Sequence, residues 1–314
     1  MSGATDLSRE KAEALRATPG FDAAMRRAAA GLIALRQRNR FTSWLLSDRA
    51  RAMLHHVLMS LDAEGAEEDP RAGLTPGRFK AVCVERGFCS PGRAGAILAF
   101  LRAGGMLHAG VSPTDGRVVR LHPTDRLREA GRERLRVQLD AFAPILPCLG
   151  EAAARLGCTA YERAAYRRLG AWLSGGGRLL GGVPELAPFA KRDAGILILY
   201  ALLVDAAPGD DGGAHAQLSI AGLSRRLRTS RPHVLRVIRQ AEQAHLLTRT
   251  GDGNDVHLAP RLVSALGTLY ADLMLLIAHC AEAALAEEPD CTCCTGPARL
   301  PQHESYPSWT FKHR

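Results

Sequence analysis

Aromatic residues are scarce in this chain, 5% of 314, which removes the stacking platforms on which single-stranded nucleic acids are held. Long apolar runs are missing as well. The longest, Ile196 to Val204, has nine residues and is too short to cross a bilayer. The opening "MSGATDLSREKAEALRATPG" is polar and lacks the apolar core of a secretion signal, so a cytoplasmic protein without membrane contact is expected. Paired cysteines are wanting too: Cys83, Cys89, Cys148, Cys158 and Cys280 stand singly, as reduced cytosolic thiols do. There is no His/Asp/Ser set with a local signature, no paired carboxylates in an apolar context and no nucleotide fingerprint. "SGGGRLLGGVP", Ser174 to Pro184, is glycine-rich but lacks the G-K-[ST] ending of a phosphate loop, and it reads as a hinge. Neither catalysis nor a cofactor is expected.

What is present is apolar content of 46%, enough for a core in each of two ordinary domains, with turn signals cutting the chain into helix-length segments. A mainly α protein follows. The formal charge is +9, most of it from arginine, the residue suited to bidentate contact with phosphate and guanine.

The pattern repeats. "LTPGRFKAVC" from Leu74 lies over "LSIAGLSRRL" from Leu218, each opening on a hydroxyl residue suited to cap a helix. "SPGRAGAILAFLRAGGML" from Ser90 lies over "SRPHVLRVIRQAEQAHLL" from Ser230, with Ala94, Ile97, Leu98 and Leu101 matching Val234, Val237, Ile238 and Ala241 at helical spacing. Turn chemistry then marks a β-hairpin in each copy, with Val119 on Val256, Leu121 on Leu258 and Pro123 on Pro260. A long helix follows each hairpin, Asp125 to about Leu146 and Arg261 to about Ala286, and an apolar helix with an acidic loop precedes each unit.

Two helices on a short connection with a hairpin after the second make a winged helix-turn-helix. "TSRPHVLRVIRQAEQAHLLTRT", Thr229 to Thr250, resembles the recognition helix and first wing strand of MarR-type winged-helix transcription regulators. The resemblance covers Leu218 to Leu275 well and Leu74 to Leu146 less well. It implies a dimer of winged units reading adjacent half-sites of double-stranded DNA, and here one chain carries both units. The expected organisation is a first unit in 1–150, a second in 151–288 and a flexible tail in 289–314, folded as a single-chain pseudo-dimer with long helices joining the units. A homodimer with four winged units is the alternative. The resemblance also implies small aromatic acids as effectors, although no sequence motif marks a site for one. His55 and His56 are the residues that could line a ligand cleft, set against the commoner core or surface histidine.

With the apolar stripe inward, Arg231, His233, Arg236 and Arg239 face out, Arg231 and His233 in the first turn where base edges are nearest. Ser230 caps and can touch a phosphate, and Arg225, Arg228 and Arg249 complete the second set of DNA-binding candidates. The first set is thinner: Ser90, Arg93, Arg117 and Arg120. Leu218 to Thr250 holds seven arginines against Glu242, a balance of +6, and Leu74 to Arg120 holds seven basic residues against two acids, +5. Together they exceed the charge of the whole chain, so the rest is slightly acidic. An imperfect palindrome is expected, its stricter half under Arg231 and His233. The competing reading is a protein-interaction module whose winged units have partly lost DNA contact. Cys291, Cys293 and Cys294 with His303 lack the paired C-x-x-C spacing of structural zinc, and a flexible tail is preferred to a metal site there.

Overall fold

The computed structural model describes residues 9–38, 49–65, 72–111, 118–177, 179, 182–190, 192–250 and 254–288. Arg117 and the Cys291–Cys294 and His303 cluster lie outside these. The protein is mainly helical with small antiparallel sheets. Two helices open it, α1 (Arg9–Ala17) and α2 (Phe21–Arg38). The first unit follows: α3 (Arg49–Glu64), α4 (Pro76–Glu85), α5 (Pro91–Ala103), the hairpin β1 (Leu107–Val111) and β2 (Val119–Pro123), and α6 (Asp125–Phe142). Pro144 stops α6 short of the expected Leu146: Ala143 keeps helical dihedrals and its N–H donates to Leu139 O, but the proline has no N–H to carry the ladder on. A second pair of helices, α7 (Pro147–Ala154) and α8 (Thr159–Ser174), leads through a 3₁₀ turn (Pro184–Leu186) and α9 (Ala187–Ala190) into the second unit. That unit has α10 (Gly195–Val204), β3 (Ala207–Pro208), β4 (Ala214–Gln217), α11 (Ile220–Arg226), α12 (Arg231–Gln243), β5 (Leu247–Thr250), β6 (Asp255–Leu258) and α13 (Pro260–Glu287).

The two units share their local chemistry. Thr75 and Ser219 cap α4 and α11, accepting from Arg78 N and Gly222 N, and Ser90 and Ser230 cap α5 and α12, accepting from Arg93 N and His233 N. A left-handed residue follows each first helix, Gly87 (φ 65°) and Arg228 (φ 48°), and another follows each second helix, Gly105 (φ 66°) and His245 (φ 54°). Met106 N donates to Leu101 O and Thr124 N to Met106 O, and the same two bonds recur from Leu246 N to Ala241 O and Ala259 N to Leu246 O.

These bonds correct the hairpin alignment. Leu107 pairs with Pro123, and Leu247 pairs with Leu258, so Leu121 corresponds to Val256, each 1% exposed, and Pro123 to Leu258. The sequence match was displaced by two residues. A slip of two along a strand keeps every side chain on its own face, so hydrophobic alternation is blind to it. The second sheet also holds strands that the pattern did not give, in the order β3-β4-β6-β5. β4 pairs with β6 from Ala214↔Leu258 to Gln217↔Asp255. Among the described residues of the first unit one bond, Leu121 N to Leu74 O at 2.9 Å, stands in that place.

The helices outside the units cross over. α2, at the start of the chain, packs on α10 of the second unit as well as on α6; α8 packs on α3 of the first unit as well as on α13. Their C-terminal ends grip the turns between the paired helices. Arg36, 3% exposed, donates from Nε to Leu227 O at 2.7 Å, and Gln37 donates to Arg226 O at 3.1 Å. On the other side Arg86 donates to Ser174 O at 2.6 Å. The apolar core follows the same exchange. Leu173 of α8 joins the first unit's cluster around Phe79, Leu101 and Leu127, while α2 merges with the second unit's core around Ile198, Val237 and Leu266. Among the described residues α13 alone is long and apolar enough to cross a membrane, and 56% of its most apolar window is buried inside the protein.

Candidate nucleic-acid interface and a central cavity

Helix α12 stands on the core through Val234, Val237, Ile238 and Ala241, all buried. The 3.6-residue period that buries them turns Arg231, Arg236 and Arg239 outwards, and all three are exposed, as are Arg225 and Arg228 at the end of α11 and in the turn. No carboxylate pairs with any of the five among the described residues. Arg228 does spend one donor on Gln37 O at 2.8 Å, which fixes the turn to α2.

Two of the expected contacts are already engaged within the protein. The half-buried His233 places Nε2 2.6 Å from Asp193 O, so its ring is tied to the segment before α10. Arg249 on β5 meets both carboxylate oxygens of Glu242, at 2.7 and 2.9 Å. The surface that remains is an array of five arginines, three along the outer face of one helix and two at its foot.

The first unit presents a different face. Along α5 the exposed residues are Pro91, Gly92, Arg93, Ala96, Ala99 and Phe100, with Arg102 and Ala103 in the last turn, so Arg93 is the one long cation exposed before that turn. Arg120 is half-buried beside Asp62 and Gly73 in a 300 Å³ recess. Three large apolar side chains are exposed among the described residues, Val84, Phe100 and Val119, and all belong to this unit.

No protein-family model, no curated protein and no solved structure matches this chain. Function is therefore read from its own residues.

The second feature is a cavity of about 720 Å³ between the units, walled by α3, α6, α8, α10 and α13. Its first-unit wall carries three arginines of α6. Arg128 pairs with Asp62 at 2.7 Å. Arg132 holds Glu162 through two bonds, 2.6 and 2.9 Å, which keep its charge fixed. Arg134 has no carboxylate among the described residues: its Nε is buried without a partner and its Nη1 lies 3.2 Å from His56 Nε2. Phenols of Tyr200, Tyr166 and Tyr270 surround it, and burial lowers its affinity for the proton.

His55, 1% exposed, has both ring nitrogens unpartnered. Burial, followed by the Arg134 and Arg128 charges, brings its pKa to about 3. Burial and Arg134 likewise hold His56 far below its ordinary value. Both rings are neutral at ordinary pH. The sequence singled out the two histidines but passed over Arg134, because "DRLREAGRERLRVQLDAF" reads as a charged, solvated helix. Only the packing separates Arg134 from its exposed neighbour Arg136.

Proposed function

We propose that the protein is a sequence-specific double-stranded DNA-binding transcription regulator without catalysis, cytoplasmic, built as two winged helix-turn-helix units in a single-chain pseudo-dimer. The observation that carries this reading is the exposed array Arg225, Arg228, Arg231, Arg236 and Arg239 on and beside a capped helix whose other face is fully buried, with a hairpin immediately after it. A helix held in this way is stiff enough to enter a major groove, and arginine is the side chain that reads guanine there. The repeated caps, left-handed turn residues and hairpin bonds support a duplicated unit. The reciprocal grip of α2 and α8 on the opposite unit supports a pseudo-twofold arrangement within one chain.

The roles divide along α12. Arg231 in the first turn is the base reader, whereas Arg236, Arg239, Arg225 and Arg228 hold phosphates and set the register. His233 is bound to Asp193 and anchors the helix. The test is recovery of duplex fragments by the purified full chain from a genomic pool at about 50 mM and about 200 mM salt. A motif that persists at the higher salt supports the reading; broad recovery that disappears reduces it to a basic surface. A protein-binding role for the first unit is favoured by one observation, the exposure of Val84, Phe100 and Val119 there and nowhere else among the described residues. In that case the second unit alone supplies DNA contact.

A further inference from the structure

We infer that the central cavity is a binding site for one amphipathic aliphatic monocarboxylate per chain, its head group on Arg134 and its hydrocarbon tail along α13. Two of the three arginines of α6 that line the cavity receive a carboxylate from the fold, Asp62 for Arg128 and Glu162 for Arg132; the third receives none among the described residues. A part-buried guanidinium whose Nε is buried without a partner, with no counter-charge among the described residues, is costly, so its persistence calls for an anion supplied from outside. The neighbouring groups suit a carboxylate head. His56 and the unpartnered His55 are neutral and have N–H groups to donate, and Tyr166 and Tyr200 add phenol donors at the cavity wall.

The tail is argued from α13. Leu269, Leu273, Leu276, Ile277, Cys280 and Ala281 line the cavity at intervals that keep them on one helical face, a stripe about 18 Å long. Arg134 lies within the electrostatic reach of Tyr200, Tyr166 and Tyr270, and Tyr270 adjoins Leu269 and packs on Tyr200 at 5.4 Å between ring centres, which sets the cation towards the Leu269 end of that stripe. A charged head at one end of a long, unbranched, apolar track fits an alkyl chain better than a compact ring. The volume is within the ordinary range for small-molecule sites. The second unit has no equivalent. Counting from the residues before α6 and α13, Thr124 and Ala259, Arg134 falls opposite Leu269, and α10, "GILILYALLV", contains no histidine. One site per chain follows. This inference stands whether or not the protein binds DNA.

The experiment is calorimetric titration of the full chain with octanoate, decanoate and dodecanoate below their micelle concentrations, with dodecanol and benzoate as comparators. The expected result is one site per chain and affinity rising about fourfold for each added methylene, with dodecanol and benzoate each binding at least tenfold more weakly than dodecanoate. Arg134→Met should lose at least tenfold for dodecanoate and nothing for dodecanol, and it should melt at a higher temperature than the unliganded wild type, because it removes a part-buried charge that no carboxylate among the described residues offsets. Leu276→Trp should block the far end of the stripe, weakening dodecanoate while sparing octanoate. Absence of alkanoate binding, equal affinity for dodecanol, a preference for benzoate, or an unchanged Arg134→Met variant would each overturn the assignment.

Discussion

The two units share their caps, turns and hairpin bonds yet differ in where their charge sits. The second unit carries its cations outside, on α12, above a wall of Val234, Val237, Ile238 and Ala241. The first has only Arg93 before the last turn of the matching helix α5, where Arg102 follows, and places its unusual polar groups inside, at His55, His56 and Arg134. The same scaffold therefore serves two chemistries. A basic outer face costs little because water solvates it, whereas three polar side chains in a cavity weaken the fold unless something fills it. The comparison teaches that the first unit keeps polar groups that packing alone would replace, and the second keeps surface charge that packing ignores.

Acid exposes that difference most strongly. The folded protein holds His55 and His56 neutral, while the unfolded chain takes up protons below its pKa of about 6.5. The folded-state pKa is the lower one, so stability is present above about pH 6.5 and is lost as pH falls towards about 3 for His55. Each histidine that stays neutral in the fold removes about 2 kcal/mol by about pH 5. Denaturant melts from pH 7.5 down to 5 should show the loss, and replacing both with leucine, which makes α3 resemble α10, should flatten the profile.

The crossing helices offer the next test. Arg36→Ala strips the buried Leu227 carbonyl of its donor and opens a cavity, for about 2–3 kcal/mol. Arg86→Ala removes the more exposed counterpart bond to Ser174, for about 1 kcal/mol or less. Equal losses would mean that the two grips are equivalent after all. The basic face follows: Arg231→Ala should weaken a selected duplex by about 1–3 kcal/mol, while Arg93→Ala should cost well under half of that, both read by fluorescence anisotropy. The smallest effect belongs to the backbone. His245 adopts the left-handed conformation that Gly105 occupies in the first unit, so His245→Gly should raise thermal stability by about 0.5–1 kcal/mol.

Much of this was legible in the chain. Cap serines at Ser90 and Ser230, the apolar spacing behind them and the turn chemistry of the hairpins are local signals, and local signals survive in sequence. The two-residue hairpin slip was invisible because it preserves side-chain alternation. β4 goes unmarked in the sequence although "AHAQ" alternates buried and exposed positions, because four residues with two alanines carry little strand signal. The crossing of α2 and α8 between units could not be read, since an apolar helical stripe does not say which partner it will meet. Arg134 was hidden for a related reason. Its helix is arginine-rich throughout, and burial is decided by helices distant in sequence. His233 and Arg249 were singled out as DNA contacts, and the structure engages them with Asp193 and Glu242, partners that only the folded chain brings near.

The most direct test of the account is the pattern of base preference across a duplex selected by the wild-type chain and by Arg231→Ala, with the number of chains per duplex measured on the same complexes. The account predicts one chain on a site with unequal halves about 10 base pairs apart, the stricter half losing its preference at one position in the variant. Two equally strict halves, or a uniform loss of affinity on every sequence in Arg231→Ala, would contradict it.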